Sequence, residues 1–407
     1  MPPSAPQESP TAKRRTRAAP RLFDEADLTD DRFFGPPYGL FSRQKIKAMA
    51  GRKLIGADRD PEESQFQPAS LDLRLGKEAF RLRASFLPGR GASVEERLNS
   101  LEPERLSLTG EGAVLEKGIV YLAPLLEHLD LRPSLSGAAN PKSSTGRLDI
   151  FSRLIVDGSD AFDSVPLNYR GRLWLEISPR SFSVRVREGS RLCQIRFRSR
   201  NPKQVSRYDF AMKDRDIRKR HEAAPLVDGD LKLRDGLIVH IGLSGNVQDF
   251  VGYRAIKNGN VIDVDKSAGY AAEEFWEPIR ARRDGRLILD PEEFYILASR
   301  EKMQIPADLA AEMAPIDPAI GEFRVHYAGF FDPGFGRGAD GRPNARAVLE
   351  VRSRDVPFLL EDGQPVGRLV YEKLAGAADE LYGASATSNY QGQGLKLSKH
   401  FRDYRRG

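Results

Sequence analysis

The chain has 407 residues, a net charge of +6 from 64 Lys and Arg against 58 Asp and Glu, and 40% hydrophobic residues. No stretch approaches the ~18 consecutive apolar residues of a membrane span, which points to a soluble protein, and at roughly 100–200 residues per domain the length predicts two or three folded units. A single cysteine, Cys193, excludes an internal disulfide framework and a Cys-rich zinc centre, and fits a cytoplasmic location.

The opening MPPSAPQESPTAKRRTRAAP holds five prolines and no apolar core segment, so it is neither a secretory signal nor able to fold by burial. Residues 1–36 are expected to form a disordered basic arm. Within the first twenty residues Lys13, Arg14, Arg15 and Arg17 stand against Glu8, a net of +3 and half of the chain's positive excess. A short basic run in such a tail is normally solvated, and no specific nucleic-acid function is assigned to it.

SRQKIKAMA (42–50) predicts a helix. In QPASLDLRLG (67–76), alternation puts Asp72 and Arg74 on one face of a strand and Leu71, Leu73 and Leu75 on the other; alone, this reads as a surface ion pair. PKSSTGR (141–147) gathers Lys142, Ser143, Ser144, Gly146 and Arg147 after an apolar segment. Hydroxyls, backbone N–H groups and a guanidinium can together cradle an anion, although an ordinary polar turn has the same composition. RLWLEI (172–177), FSVRV (182–186) and LCQIRF (192–197) alternate as strands, with Gly and Pro at the joins. A second helix is expected in the Ala-rich 373–381. SNYQGQGLKLSK near the end sets Tyr390, Gln391 and Gln393 among glycines, either a mobile segment that closes over a ligand or a frayed terminus.

A self-match at one constant, ungapped offset runs through this pattern. Leu175-Glu176 followed by Gly189 is echoed by Leu349-Glu350 followed by Gly363. Leu192, Ile195 and Phe197 are echoed by Val366, Leu369 and Tyr371, and VYLA (120–123), nearly in step, by YILA (295–298). Duplication of a β unit follows: a first domain over 40–205, a charged linker over 206–230, a second domain over 231–382 and a tail over 383–407. Glu176 and Glu350 are both carboxylates inside apolar strands, suited to passing protons near neutral pH if buried beside a reacting group, and otherwise facing water.

Several chemistries are excluded. The five histidines are scattered, none opens an H-x-E, and one cysteine cannot make P-C-x-x-C, so the zinc deaminase signature is missing. There is no P-loop, no G-x-S-x-G elbow and no G-x-G-x-x-G between a strand and a helix. His326, in FRVHY, reads as a strand histidine.

Four segments together, QPASLDLRLG, KSSTGR, NYRGRLWLEI (168–177) and SNYQGQG, resemble successive motifs of the dCTP deaminase branch of the dCTP deaminase and dUTPase family. In the second half, FFDPGFG (330–336) followed by AVLE (347–350) is similar to the nucleoside-binding hairpin and glutamate strand of that family. The resemblance spans Gln67 to Lys399. It implies an all-β fold of two tandem distorted β-barrel or jelly-roll domains, dUTPase-like and of the β-clip type, with a few short helices. It further implies homo-oligomers with trimer-like interfaces, sites between β domains, dCTP and dUTP as nucleotide partners, and Mg2+ bound through the triphosphate with no zinc.

By position in these motifs, Ser143, Ser144 and Arg147 correspond to the groups that contact phosphate and place the attacking water, with Lys142 beside them. Glu176 and Glu350 correspond to the catalytic glutamate; Asp332 lies in the nucleoside hairpin; Tyr382, Tyr390 and Gln393 correspond to tail positions that close over the nucleotide. The halves depart from the pattern in complementary ways. PIDPAIG (315–321) replaces the serines and arginine in the second half, and RNPKQVSRYDF follows the first half where a tail would stand. A competent site is therefore expected to join the first-half cradle to the second-half tail, leaving one glutamate dispensable. Asn389 stands where a lysine often precedes the tail tyrosine. The expected reaction is dCTP plus water to dUTP plus ammonia; a dUTPase or bifunctional enzyme, and a non-catalytic nucleotide-binding scaffold, are the alternatives.

Overall fold

The computed structural model describes residues 35–200, 210–246, 248–315, 323–326, 329–353, 355–384 and 390–404. The expected basic arm and Asn389 lie outside them, as does most of PIDPAIG. Among the described residues the chain is all-β, with a few short helices.

In the first half, the strand Val120–Asp130 pairs with Arg170–Pro179, which pairs in turn with Ile150–Val156; a second sheet joins Leu135–Pro141 to Cys193–Ser199 and Leu71–Leu73. The second half repeats this arrangement with Phe294–Met303, Ala345–Ser353 and Phe323–His326, and with Leu309–Ala314 beside Pro365–Lys373. The pairing register itself recurs. Glu176 faces Leu122 and Glu350 faces Ile296; Ile195 faces Ala139 and Leu369 faces Met313; Val184 faces Leu115 and Phe358 faces Leu289. Each of these second-half residues stands as far from its first-half counterpart as Glu350 stands from Glu176.

The halves interlock. Ile262–Asp263 of the second half adds a parallel strand to Val184–Val186 of the first. The larger apolar core, built on Leu71, Leu73, Leu154, Leu175 and Ile195, continues into Phe275, Trp276 and Phe401. Arg198 and Glu372, separated by that same offset, form a buried ion pair at 2.8 Å between the halves.

The helix Arg43–Gly51 forms where periodicity places it and buries Ile46 and Met49. The Ala-rich segment does not form one. Its strand runs to Lys373, the Ala375 N–H then donates to Leu40 O at 2.7 Å, and Gly376 takes a φ of +151°, outside helical space. So short a stretch cannot nucleate against a sheet edge that offers its backbone partners. Conversely, the expected linker contains the helix Asp214–Ala223. Acidic residues stand in its first turn, Arg220 and His221 in its last, and Ile217 is buried in the second core. Asp72 and Arg74 are not a surface pair: both are buried, and Arg74 is bonded to Glu127 at 2.7 Å.

Candidate active site

The strand Leu135–Pro141 ends at a proline, and the chain turns at once through a single helical turn, Ser143–Gly146. The Lys142 N–H donates to Leu192 O at 3.0 Å and fixes where the turn begins. Ser144, Thr145 and Arg147 are buried, and Lys142 reaches the buried carboxylate of Asp72. A cluster of hydroxyls, backbone donors and cations is thereby held on a rigid strand end, the arrangement that binds oxyanions without reorganising.

Against this turn lies the strand Ala345–Ser353, which brings Glu350, 3% exposed, to the cradle. The fit depends on a missing side chain: a Cβ on Gly146 would lie 2.6 Å from Glu350 Oε2. Two residues beyond Glu350, Arg352 forms an ion pair with buried Asp149, itself two residues beyond Arg147; the Asp149 Oδ2 also accepts from Ser181 Oγ at 2.6 Å. Burial pushes the Asp149 carboxyl up, and the Arg352 charge opposes this.

The hairpin beginning at Phe330–Phe331 forms a third wall and presents Asp332. Its Gly329 N–H donates to Asn140 Oδ1 of the first half at 2.7 Å. Burial raises the Asp332 carboxyl, opposed by Arg196.

The tail closes the fourth side. Arg147 stacks on the Tyr390 ring at 3.8 Å and donates to Gln393 Oε1 and Lys396 O, both at 2.9 Å. Tyr382 OH accepts from the Tyr390 N–H at 3.2 Å, and the surrounding apolar groups push its phenol up. Ser398 Oγ donates to Ser144 O at 2.8 Å and stands 2.8 Å from His400 Nδ1, while His400 Nε2 donates to Val264 O at 2.8 Å. Burial, with Lys399 beside it, holds the His400 imidazole down to about 4.

These walls enclose a cavity of about 600 Å³. Lys142, Ser143, Ser144, Arg147, Asp332, Glu350, Tyr382, Tyr390 and Gln393 all line it, drawn from segments of both halves and the tail that are remote in sequence. Glu176 is not brought there. Its Oε1 accepts from Arg153 at 2.6 and 2.9 Å, and Arg153 in turn lies 3.5 Å from the Phe162 ring. The helix Val94–Asn99 seals this face by packing Val94 and Leu98 against Trp174 and Ile155. That helix is started by Ser93 and by Asp157, which accepts the Val94 N–H at 2.7 Å.

Sequence reasoning missed several wall residues. Arg191 and Gln194 come from the first-half strand end, Asp265 from the second half, and Lys399 from the tail. Only Lys399 carried a signal, lying just past the glutamine-rich stretch; burial and neighbouring Lys142 lower its ammonium.

An all-β scaffold whose two halves enclose a cleft of hydroxyls, arginine and a buried glutamate defines a nucleotide-processing class of protein. Residues 37–201 match the model of the 2′-deoxycytidine 5′-triphosphate deaminase N-terminal domain, and residues 213–401 that of the C-terminal domain. The structure is similar to a 2′-deoxycytidine 5′-triphosphate deaminase from Agrobacterium tumefaciens, at 48% identity and a TM-score of 0.77, over 83% of this chain and 99% of that one. Similar sequences include a dCTP deaminase from Natronomonas pharaonis, 30% identical over 34% of this chain and 68% of that protein. Another is a dUMP-forming dCTP deaminase from Halobacterium salinarum, 28% identical over 42% of this chain and 86% of that protein. The chain belongs to the 2′-deoxycytidine 5′-triphosphate deaminase family of enzymes.

Proposed function

We propose that this protein hydrolyses dCTP to dUTP and ammonia at the cavity between its halves, with Glu350 as the proton-transferring group. The observation that carries this reading is the contact of the Glu350 carboxylate with Gly146 inside the Ser143–Arg147 turn, which sets a base beside an oxyanion cradle. Water attacks C4 of cytosine as Glu350 removes one of its protons, giving a tetrahedral carbon. Glu350 then returns a proton to the amino nitrogen, the C4–N bond breaks and ammonia leaves, while the proton remaining on the C4 hydroxyl passes to N3 and C4 becomes a carbonyl. Lys142, Ser143 and Ser144 bind the anionic end, while Arg147 ties the cradle to the tail that covers the nucleotide.

The nucleoside part of dCTP, its 5′-oxygen esterified, offers two kinds of hydrogen-bond donor, the 4-amino group and the 3′-hydroxyl. With Glu350 at the amino end, the Asp332 carboxylate is left to accept from the sugar hydroxyl. Magnesium enters as part of the substrate, chelated by phosphate oxygens; at that end Asp72 is engaged by Lys142, and Asp265 by Ser190. Glu176, paired with Arg153 under a sealing helix, serves as a structural counter-ion. We read the halves as copies of one β unit, with the first-half site closed and the second-half cradle lost, and we expect the chain to associate through trimer-like interfaces in the cytoplasm.

A dUMP-forming reaction is the second reading, favoured by relatives that bear that name. Incubation with dCTP, CTP or dCMP in the presence of magnesium, resolving ammonia, dUTP, dUMP and pyrophosphate, tests both. Ammonia with dUTP supports the first reading and ammonia with dUMP and pyrophosphate the second. Binding of dCTP without any ammonia release would make the protein a scaffold and defeat both.

A further inference from the structure

Arg196 belongs to the first half, on the strand Cys193–Ser199, and is fully buried. Its guanidinium nevertheless serves the second half. Nη1 donates to Ala311 O at 2.9 Å; Nη2 donates to Phe331 O at 2.9 Å and to Asp332 Oδ1 at 3.0 Å; the plane lies 4.1 Å from the centre of the Phe330 ring. One side chain thus grips the backbone of the strand that leads into the nucleoside hairpin and of the strand paired with it, and the carboxylate of Asp332. The equivalent position of the second half is Val370, so the two halves differ here.

A planar fork that aims three of its five donors at two carbonyls and one carboxylate oxygen sets the orientation of that carboxylate. We propose that Arg196 is a positioning residue for substrate selection: it aims Asp332 from the opposite half, so that the carboxylate accepts a hydrogen bond from the nucleotide's 3′-hydroxyl. This rests on the proposed reaction and on the role given there to Asp332. Burial alone pushes that carboxyl toward its neutral form, which would donate as well as accept, and the adjoining guanidinium opposes this.

The experiment compares kcat and KM for dCTP and for 2′,3′-dideoxycytidine triphosphate, which lacks the hydroxyl. Wild type, Asp332→Asn, Arg196→Gln and Arg196→Lys are measured, with thermal unfolding to identify folded variants. Wild type is expected to prefer dCTP by roughly tenfold or more in kcat/KM. Arg196→Gln should raise KM for dCTP with little change in kcat, and bring the preference close to unity. It should leave the dideoxy substrate nearly untouched. Arg196→Lys, which keeps the charge but not the fork, should lose part of the preference, and it carries the test if the Gln variant does not fold. A wild type without any preference would overturn the role of Asp332 and this inference with it. Loss of the preference in Asp332→Asn but not in folded Arg196 variants would overturn this inference alone. Equal losses on both substrates in the Arg196 variants would reduce Arg196 to a structural group and overturn it as well.

Discussion

Arg352 and Asp149 form an ion pair from opposite halves, two residues beyond Glu350 on one strand and two beyond Arg147 on the other segment. Asp149 is wholly buried and the Arg352 side chain is 14% exposed, so the pair fixes the strand carrying the glutamate against the turn carrying the cradle. Removing one partner strands a buried charge, at a cost of roughly 3–5 kcal/mol, whereas removing both costs far less. Arg352→Met and Asp149→Leu should therefore each lower the urea midpoint strongly, and the double variant Arg352→Met/Asp149→Leu should recover most of the loss. Simple additivity of the two single losses would show that they do not act as a pair.

The two glutamates should separate cleanly on substitution. Glu350→Gln is expected to lower turnover of dCTP by about 10²–10⁴-fold, the range of general acid–base contributions. Glu176→Gln should leave turnover near wild type and instead lower stability by roughly 1–3 kcal/mol, because Arg153 loses a charged acceptor. Ammonia release and denaturant unfolding, measured on both variants, decide this; equal partial losses of turnover would contradict the assignment.

Gly146 needs no special backbone freedom, so its role lies in the space it leaves. Gly146→Ala should keep the fold, since Ala suits a helical turn better than Gly by about 1 kcal/mol. The added methyl must displace the Glu350 carboxylate, and misplacement of a catalytic group by an ångström can cost about 10²-fold in rate. A folded Gly146→Ala enzyme with wild-type kcat would show that the carboxylate is not required where the structure puts it.

The tail latch carries a pH dependence of defined sign. His400 is held neutral, its value falling from the usual 6.5 to about 4. The released or unfolded tail therefore binds a proton more readily, and the stability that the neutral imidazole confers is present above pH 6.5 and lost as the pH falls toward 4. The loss amounts to at most about 3 kcal/mol. Calorimetric Tm values measured from slightly alkaline to mildly acidic pH should fall more steeply for wild type than for His400→Gln, and parallel slopes would refute the assignment.

Much of this architecture was legible in the sequence because strands announce themselves by alternation. RLWLEI and LCQIRF needed only neighbouring residues to be read, and the register shared with the second half needed only a constant offset along the chain. The candidate site was legible as parts: the SSTGR turn, the two glutamates, and the tyrosine and glutamine of the tail. What could not be read was which parts meet. Arg147 and Gln393 are 246 residues apart, and their contact is decided by how the halves dock. Likewise Glu176 and Glu350 lie in equivalent registers, and they differ only because Val94–Asn99 covers one and the cradle faces the other. Asp72 looked solvent-facing because alternation reports one covered face, and this strand is covered on both. The Ala-rich 373–381 failed for the opposite reason: intrinsic preference was overruled by an available sheet edge.

The pairing of Arg198 with Glu372 has a consequence for how such a chain can change over time. Were the units identical and separately encoded, whatever stood at this spot would confront a replica of itself, and any charge would meet its own sign. Joining both units in one polypeptide lifts that restriction and lets the spot hold a cation in one unit and an anion in the other. Once it does, substituting a leading unit for a trailing one would set arginine against arginine, so the presence of one unit of each kind is enforced by electrostatics.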